Sequence, residues 1–138
     1  MNKLISNNIH KSFEMGDDSL VVLNDINLTI NENDSVAITG ASGAGKSSFL
    51  HILAGLDKPT SGNVYFNDLD LSLLSNNRLS KIRLENFGFV YQFHHLLEDL
   101  TVEENIFMPA LINKSLDNEK KLIVKDIMRS LDIYKRKN

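Results

Sequence analysis

The sequence predicts an α/β fold, and three observations support this prediction. Residues 4–13 and 21–30 are rich in apolar side chains that alternate loosely with Asn, Ser and Thr, as in half-buried strands. Residues 34–39 contain a continuous apolar segment, which is typical of a strand buried on both faces. A helical pattern starts at Lys46, directly after a glycine-rich segment. Strand, loop and helix in this order indicate a layered α/β domain.

Composition restricts both the size of this domain and its partners. The chain has 138 residues, 42% of them hydrophobic, which suffices for one compact domain. Fifteen Lys and Arg against eighteen Asp and Glu give a net charge of -3, so we expect no nucleic acid partner. The absence of cysteine excludes disulfides, cysteine zinc sites and a cysteine nucleophile. The longest strongly apolar stretch, residues 107–112, is much shorter than the ~20 residues of a membrane-spanning helix.

Turn residues mark the ends of the elements in the first half of the chain. Residues 16–19 predict the turn between the first two strands. The helix that starts at Lys46 is expected to end at Gly55, because glycine readily adopts the left-handed conformation that follows a helix. Residues 59–62 predict a second turn, which leads into a short strand at residues 63–66.

The second half predicts further helices and one strand. A weak helical pattern covers residues 75–85, and aromatic and β-branched side chains at residues 87–91 predict a strand. Thr101 and Glu104 have the spacing of a capping box, so a helix should begin near Val102.

Two signals shape the remaining C-terminal helices. Pro109 should kink or end the helix that begins near Val102, because proline lacks an N–H donor. A last helix from about Asp117 brings three apolar side chains to one face, those of Ile123, Ile127 and Leu131.

A glycine-rich motif lies between the predicted buried strand and the following helix. The motif is G-x-x-x-x-G-K-[ST], formed by Gly40, Ala41, Ser42, Gly43, Ala44, Gly45, Lys46 and Ser47. Its glycines allow successive backbone N–H groups to converge on one anion, and the helix adds its positive N-terminal end. Lys46 supplies a charge for β- and γ-phosphates, Ser47 a hydroxyl for Mg²⁺, and Ser48 a further phosphate contact. The alternative is a plain glycine turn with a surface lysine, but the flanking strand and helix are the context that the motif requires.

Segments outside this loop carry a family resemblance. They are residues 23–28 (LNDINL), 55–62 (GLDKPTSG) and 89–92 (FVYQ), and with the loop they resemble the ATP-binding subunits of ABC transporters. Within that family, residues 91–97 (YQFHHLL) together with Met108 and Pro109 are similar to the ATPase subunit of the bacterial lipoprotein-releasing system.

The resemblance implies a domain organisation and two cofactors. It implies a P-loop NTPase core with an N-terminal antiparallel β subdomain and the start of a helical subdomain, as in a truncated ABC-type ATPase. We place the β subdomain at residues 1–33, the core at residues 34–92, and the Q-loop with the start of the helical subdomain at residues 93–138. The implied cofactors are ATP and Mg²⁺.

The resemblance also implies roles for single residues. Phe13 occupies the position of the aromatic residue that stacks on adenine, where the family usually has Tyr. Gln92 matches the Q-loop glutamine, whose side-chain carbonyl reaches Mg²⁺ and the attacking water. Lys46 and Gln92 are therefore the expected catalytic residues, and Ser47 and Gln92 the expected Mg²⁺ ligands.

The implied function is that of a transport ATPase. The complete protein is expected to form a homodimer of ATP-binding subunits, to bind transmembrane permease subunits, and to lie peripherally on the cytoplasmic face of the bacterial inner membrane. ATP hydrolysis would then drive release of lipoproteins toward the outer membrane. A related exporter for peptides or drugs remains an alternative.

Two groups of side chains invite other interpretations. His94 and His95 suggest a metal site, but adjacent side chains diverge and no suitably spaced ligand set accompanies them, so contact with the membrane subunit is the favoured hypothesis. Lys135, Arg136 and Lys137 suggest contact with anionic lipid, but a short terminal cluster is usually solvated.

Several motifs of an ABC ATPase are absent from the sequence. There is no LSGGQ-like signature, no apolar strand that ends in Asp-Glu, and no later switch histidine. We therefore expect an N-terminal part of a longer domain, with negligible ATP hydrolysis by this chain alone. Two other hypotheses are a complete chain that only binds nucleotide, and a DNA-repair or chromosome-organising ATPase, which would need heptads that residues 93–138 lack.

Overall fold

The computed structural model describes residues 3–16, 18–93 and 95–136. The chain divides into two compact units, Met1–Phe87 and Gly88–Asn138. No helix in the described part of the chain is long and apolar enough to cross a membrane.

The first unit contains a four-stranded antiparallel sheet with the order β2-β1-β3-β4. Its strands are β1 (Lys3–Met15), β2 (Asp18–Asn31), β3 (Ser61–Phe66) and β4 (Leu69–Asp70). The long β1–β2 hairpin confirms the two N-terminal strands that apolar alternation predicts and the antiparallel pairing that the family resemblance implies, and β3 confirms the strand expected after the second turn.

Helix α1 (Lys46–Leu53) packs one apolar face into the core of this unit. The buried cluster unites the sheet, α1 and the segment after β4, and comprises Ile9, Leu23, Phe49, Ile52, Leu53, Val64, Leu71 and Leu79. Gly55 ends the helix as predicted, with φ at +63°. The Gly55 N–H donates to the Ile52 carbonyl at 3.0 Å, and the Leu56 N–H donates to the His51 carbonyl at 2.8 Å. These two bonds satisfy carbonyls that a helix end otherwise leaves without intrahelical partners.

Helix α2 (Asn76–Asn86) completes the first unit and confirms the weak helical pattern there. Leu79 is its buried residue, and Arg83 donates a hydrogen bond to the Gly55 carbonyl beyond the end of α1. A cation at a helix C-terminus interacts favourably with the negative end of the helix dipole.

The second unit contains helices α3 (Val102–Ile112) and α4 (Asn118–Ser130), followed by a 3₁₀ turn at Tyr134–Arg136. The capping box is confirmed: the Glu104 N–H donates to Thr101 Oγ1 at 3.2 Å, and the Thr101 N–H donates to Glu104 Oε2 at 2.8 Å. The start of α4 also agrees with prediction, since Asp117 caps it by accepting from the Lys120 N–H.

Of the two effects predicted for Pro109, a kink or an end of the helix, the end is not found, because α3 continues to Ile112. Proline removes one donor, yet its carbonyl still accepts from the Asn113 N–H at 3.1 Å, so the next turn forms. The predicted apolar face of α4 stays largely exposed, at 51% for Ile123 and Ile127 and 63% for Leu131, while Met128 is buried.

The strands predicted at residues 34–39 and 87–91 are not found. Neither segment pairs with another strand within the described residues, and Val36 and Val90 are exposed. A strand exists only where a second segment accepts and donates its backbone hydrogen bonds. An apolar run indicates that a segment suits a sheet, but it does not supply the neighbouring strand.

Candidate phosphate-binding site

The glycine loop lies against the β1–β2 hairpin. Gly45 has φ +81° and forms the N-cap of α1. A Cβ added at Gly45 would lie 2.8 Å from Val22 Cγ1 and 2.9 Å from Leu23 Cδ2 and the Val22 carbonyl oxygen. Only a residue without a side chain fits so close to β2 in this conformation. The sheet therefore fixes where the loop ends and the helix begins.

The Lys46 side chain bonds to main-chain carbonyls of its own loop. Its Nζ donates to the Gly40 carbonyl at 3.0 Å and to the Ala41 carbonyl at 2.6 Å. The Ala44 N–H donates to the same Ala41 carbonyl at 3.3 Å. The ammonium group is thereby held within the loop at the start of α1.

The N-terminal end of α1 suits an anion. The Phe49 N–H donates to the Gly45 carbonyl at 2.9 Å, so the amides of residues 46–48 precede the first intrahelical bond. Among the described residues, no side chain caps the N-terminal end of α1 at Gly45, and the first turn of α1 contains no acidic residue. Backbone donors, a helix dipole and one ammonium group form a donor set that fits a phosphate chain.

The remaining loop residues differ in exposure. Gly40, Ala41, Ser42, Gly43, Ala44 and Ser47 are exposed, whereas Gly45, Lys46 and Ser48 are partly buried. The Ser47 hydroxyl is therefore accessible to a hard cation that prefers oxygen ligands.

Phe13 belongs to the same unit as the loop. It lies on β1, pairs with Leu20 on β2, and is 44% exposed. Lys11 Nζ lies 5.0 Å from the centroid of its ring. The ring thus offers an accessible π-face, as stacking on a base requires.

Gln92 belongs to the second unit, where it lies in an exposed bend. The rings of Phe89 and Tyr91 stack at 5.6 Å before it, and His95 meets the Tyr91 ring edge-on at 5.0 Å after it. The structure does not test whether Gln92 reaches Mg²⁺, so that role stays a prediction.

The histidine pair and the basic tail are only partly described. His94 and Lys137 lie outside the described residues. His95 is exposed with φ +47°, and no group of three metal-ligating side chains occurs among the residues with described positions. Contact between His95 and a membrane subunit stays a prediction.

Two residues near these sites are missed by motif analysis. Lys11 forms an ion pair with Asp57 at 2.7 Å, a contact between positions far apart in the sequence that no motif indicates. Asn105 binds Leu97 at both of its main-chain groups, with distances of 2.9 and 3.0 Å. No sequence pattern indicates this second set of bonds.

Comparison with known proteins gives the family of the chain. The ABC transporter family profile matches residues 23–138. The lipoprotein-releasing system ATP-binding protein LolD of Buchnera aphidicola subsp. Schizaphis graminum (strain Sg) is 44% identical over 131 residues, which cover 95% of this chain and 57% of that protein. LolD of Wigglesworthia glossinidia brevipalpis is 44% identical over 119 residues, which cover 86% and 52% of the two chains.

Solved structures give the same assignment. The ATP-binding cassette MJ0796, in a dimeric post-hydrolysis state bound to ADP and Pi, matches with a TM-score of 0.78 and 36% identity. The match covers 85% of this chain and 51% of that cassette. The chain therefore spans about half the length of the relatives that it matches. It belongs to the ABC transporter family and has the fold of the corresponding part of an ATP-binding cassette.

Proposed function

We propose that this chain binds ATP with Mg²⁺ through residues 40–48, as part of the ATP-binding subunit of an ABC transporter. The observation that carries this proposal is the glycine loop, closed on Lys46 at the uncapped positive end of α1. We further propose that the complete protein powers release of lipoproteins from the inner membrane. The relatives named as lipoprotein-releasing ATP-binding proteins support this substrate.

Phosphate binding is assigned to the loop. Lys46 would exchange its two neutral carbonyl acceptors for phosphate oxygens, which form stronger charge-assisted hydrogen bonds. The α1 amides and the Ser48 hydroxyl would donate to the same phosphate chain. Ser47 would hold Mg²⁺, which neutralises phosphate charge. The role of Gln92 toward this ion rests on the family resemblance alone.

The remaining parts of the proposal concern the base, the reaction and the partners. Phe13 would stack on adenine with its exposed ring. The sequence contains no apolar strand that ends in Asp-Glu and could supply a carboxylate to orient an attacking water, so we expect binding without turnover by these 138 residues. In the complete protein, a second ATP-binding subunit and membrane permease subunits would assemble on the cytoplasmic face of the inner membrane. The dimeric state of the similar cassette MJ0796 supports the first of these partners.

Calorimetric titration of ATP tests the phosphate site. Lys46→Ala should weaken ATP binding at least about 30-fold, because a charge-assisted bond to a phosphate is worth about 1.5–3 kcal/mol and more than one is lost. Lys81→Ala is the matched control, since Lys81 is 73% exposed on α2 and pairs only loosely with Glu85, at 3.9 Å. Equal affinity of the two variants would refute the assignment of the loop.

The transport substrate needs a separate experiment. The complete ATP-binding subunit should copurify with its membrane permease and, in reconstituted vesicles, should release an anchored lipoprotein to an acceptor only when ATP is supplied. ATP-dependent movement of peptides or drugs instead would support a related exporter.

ATP hydrolysis by the 138-residue chain, lost in Lys46→Ala, would refute binding without turnover.

A further inference from the structure

Lys11 connects the Phe13 ring to the turn that follows α1. Its Nζ lies 2.7 Å from Asp57 Oδ2, donates to the Lys58 carbonyl at 2.8 Å, and lies 5.0 Å from the centroid of the Phe13 ring. The Lys11 side chain is only 12% exposed. The ammonium group is therefore held in place by an anion, a carbonyl and an aromatic ring.

Lys11 lies over one face of the Phe13 ring. The pairing of β1 with β2 is irregular on both sides of Lys11, and Lys11 Nζ nevertheless lies over the Phe13 ring. An ammonium group over a ring is attracted by the negative π-face, which restricts rotation of the ring. Phe13 nevertheless keeps 44% of its surface exposed. The cation occupies one face, and the exposed part of the ring is left for a second stacking partner.

We propose that Lys11, anchored by Asp57, is a positioning residue that orients Phe13 for adenine and so favours adenine nucleotides over bare polyphosphate. This inference rests on the proposed stacking role of Phe13. A ring that is already ordered loses less conformational freedom when the base binds. Inorganic triphosphate does not use the ring, so its affinity should not depend on Lys11.

The anchor is charged at neutral pH. Partial burial acts to raise the pKa of Asp57, but the hydrogen bonds from Lys11 Nζ and the Lys58 N–H, together with the Lys11 charge, hold that pKa below its ordinary value. Asp57 is thus a carboxylate whenever nucleotide is bound under physiological conditions.

The turn is also joined to β1 by hydrogen bonds that do not involve the Lys11 side chain, so we expect it to stay in place in variants of Lys11. The Thr60 N–H donates to the His10 carbonyl at 2.8 Å, and the Ser12 N–H donates to Thr60 Oγ1 at 3.0 Å. These bonds remain when the Lys11 side chain is shortened or neutralised. A variant at position 11 can therefore lose the cation over the ring while the strand and the turn stay joined.

The test compares ATP with inorganic triphosphate by calorimetric titration of the 138-residue chain. Lys11→Met keeps the length and apolar stem of the side chain and removes its charge. We expect it to weaken ATP binding about three- to tenfold and to leave triphosphate binding unchanged. Lys11→Arg should restore ATP affinity, because guanidinium also pairs with carboxylate and stacks on aromatic rings. Lys58→Met is the matched control, since Lys58 is exposed and Lys11 contacts only its main-chain carbonyl.

The outcomes separate this inference from the proposed function. The positioning role is refuted if Phe13→Ala weakens ATP binding and Lys11→Met either weakens ATP and triphosphate binding equally or weakens neither. The stacking role stands in both cases. If Phe13→Ala binds ATP as the natural chain does, the stacking role fails and the inference fails with it. Loss of triphosphate binding in Lys46→Ala would still support the phosphate site in that case.

Discussion

The glycine loop at residues 40–45 is fixed by its close approach to β2 and by the side chain of Lys46, whereas in the loop at residues 95–101 one side chain from α3 bonds to several main-chain groups. Gly45 lies directly against β2, and Lys46 bonds to loop carbonyls. In the other loop, one side chain, that of Asn105, accepts from the Leu97 N–H and donates to the carbonyls of Leu97, Leu100 and Thr101 at 3.0–3.1 Å. The first loop therefore tolerates no Cβ at its closest contact, while the second depends on a single amide group.

The largest expected effect tests the contact between Gly45 and β2. Gly45→Ala should lower the free energy of unfolding by about 2–5 kcal/mol, because it adds a left-handed alanine and a clash with Val22 and Leu23. Gly43→Ala shares the positive φ but meets no atom within 4 Å, so it should cost about 1–2 kcal/mol. Chemical denaturation measures both. Equal costs would mean that conformation alone, and not contact with β2, fixes the loop.

A smaller effect tests the side-chain loop. Asn105→Ala should lower the free energy of unfolding by about 1–3 kcal/mol, because several main-chain groups lose their partner together. Hydrogen exchange at the Leu97 amide should accelerate strongly. Asn113→Ala, at the other end of α3, is the matched control and should change stability by less than about 0.5 kcal/mol. Unchanged exchange at Leu97 in the Asn105 variant would show that the loop is held in another way.

The smallest effect concerns the capping box next to this second loop. Hydrogen bonds from the Thr101 N–H and the Thr101 hydroxyl lower the pKa of Glu104 from its ordinary value of 4.5. Since the folded pKa is lower than the unfolded one, this contribution is fully present above pH 4.5 and is lost as pH falls through the folded value. In Glu104→Gln, the free energy of unfolding should therefore depend less on pH in that acidic range. If the free energy of unfolding of the natural chain and that of Glu104→Gln change with pH in the same way, the capping interaction is not the source of the pH dependence.

Local chemistry accounts for the parts that sequence analysis predicts. The glycine motif, the end of α1 at Gly55 and the Thr101–Glu104 box each depend on residues within one or two turns of chain. Their geometry follows from φ preferences and from capping hydrogen bonds, which are properties of short segments.

The strand predictions that are wrong and the contacts that sequence analysis misses depend on residues far apart in the sequence. Residues 34–39 and 87–91 have strand-like composition but lack a neighbouring strand among the residues with described positions. The Lys11–Asp57 pair joins positions 46 residues apart and follows from the way β1 meets the turn after α1. Such contacts are set by tertiary packing, which no local pattern encodes.

If the loop binds phosphate as proposed, the bonds between Lys46 and its own loop would make the site selective for strong hydrogen-bond acceptors. An incoming anion must compete with the Gly40 and Ala41 carbonyls, which already satisfy the ammonium group at 3.0 and 2.6 Å. Chloride and other weakly coordinating ions gain little by that exchange, whereas a polyphosphate offers several charged oxygens at once. The loop would thus favour polyphosphate over weakly coordinating ions, without any side chain added for exclusion.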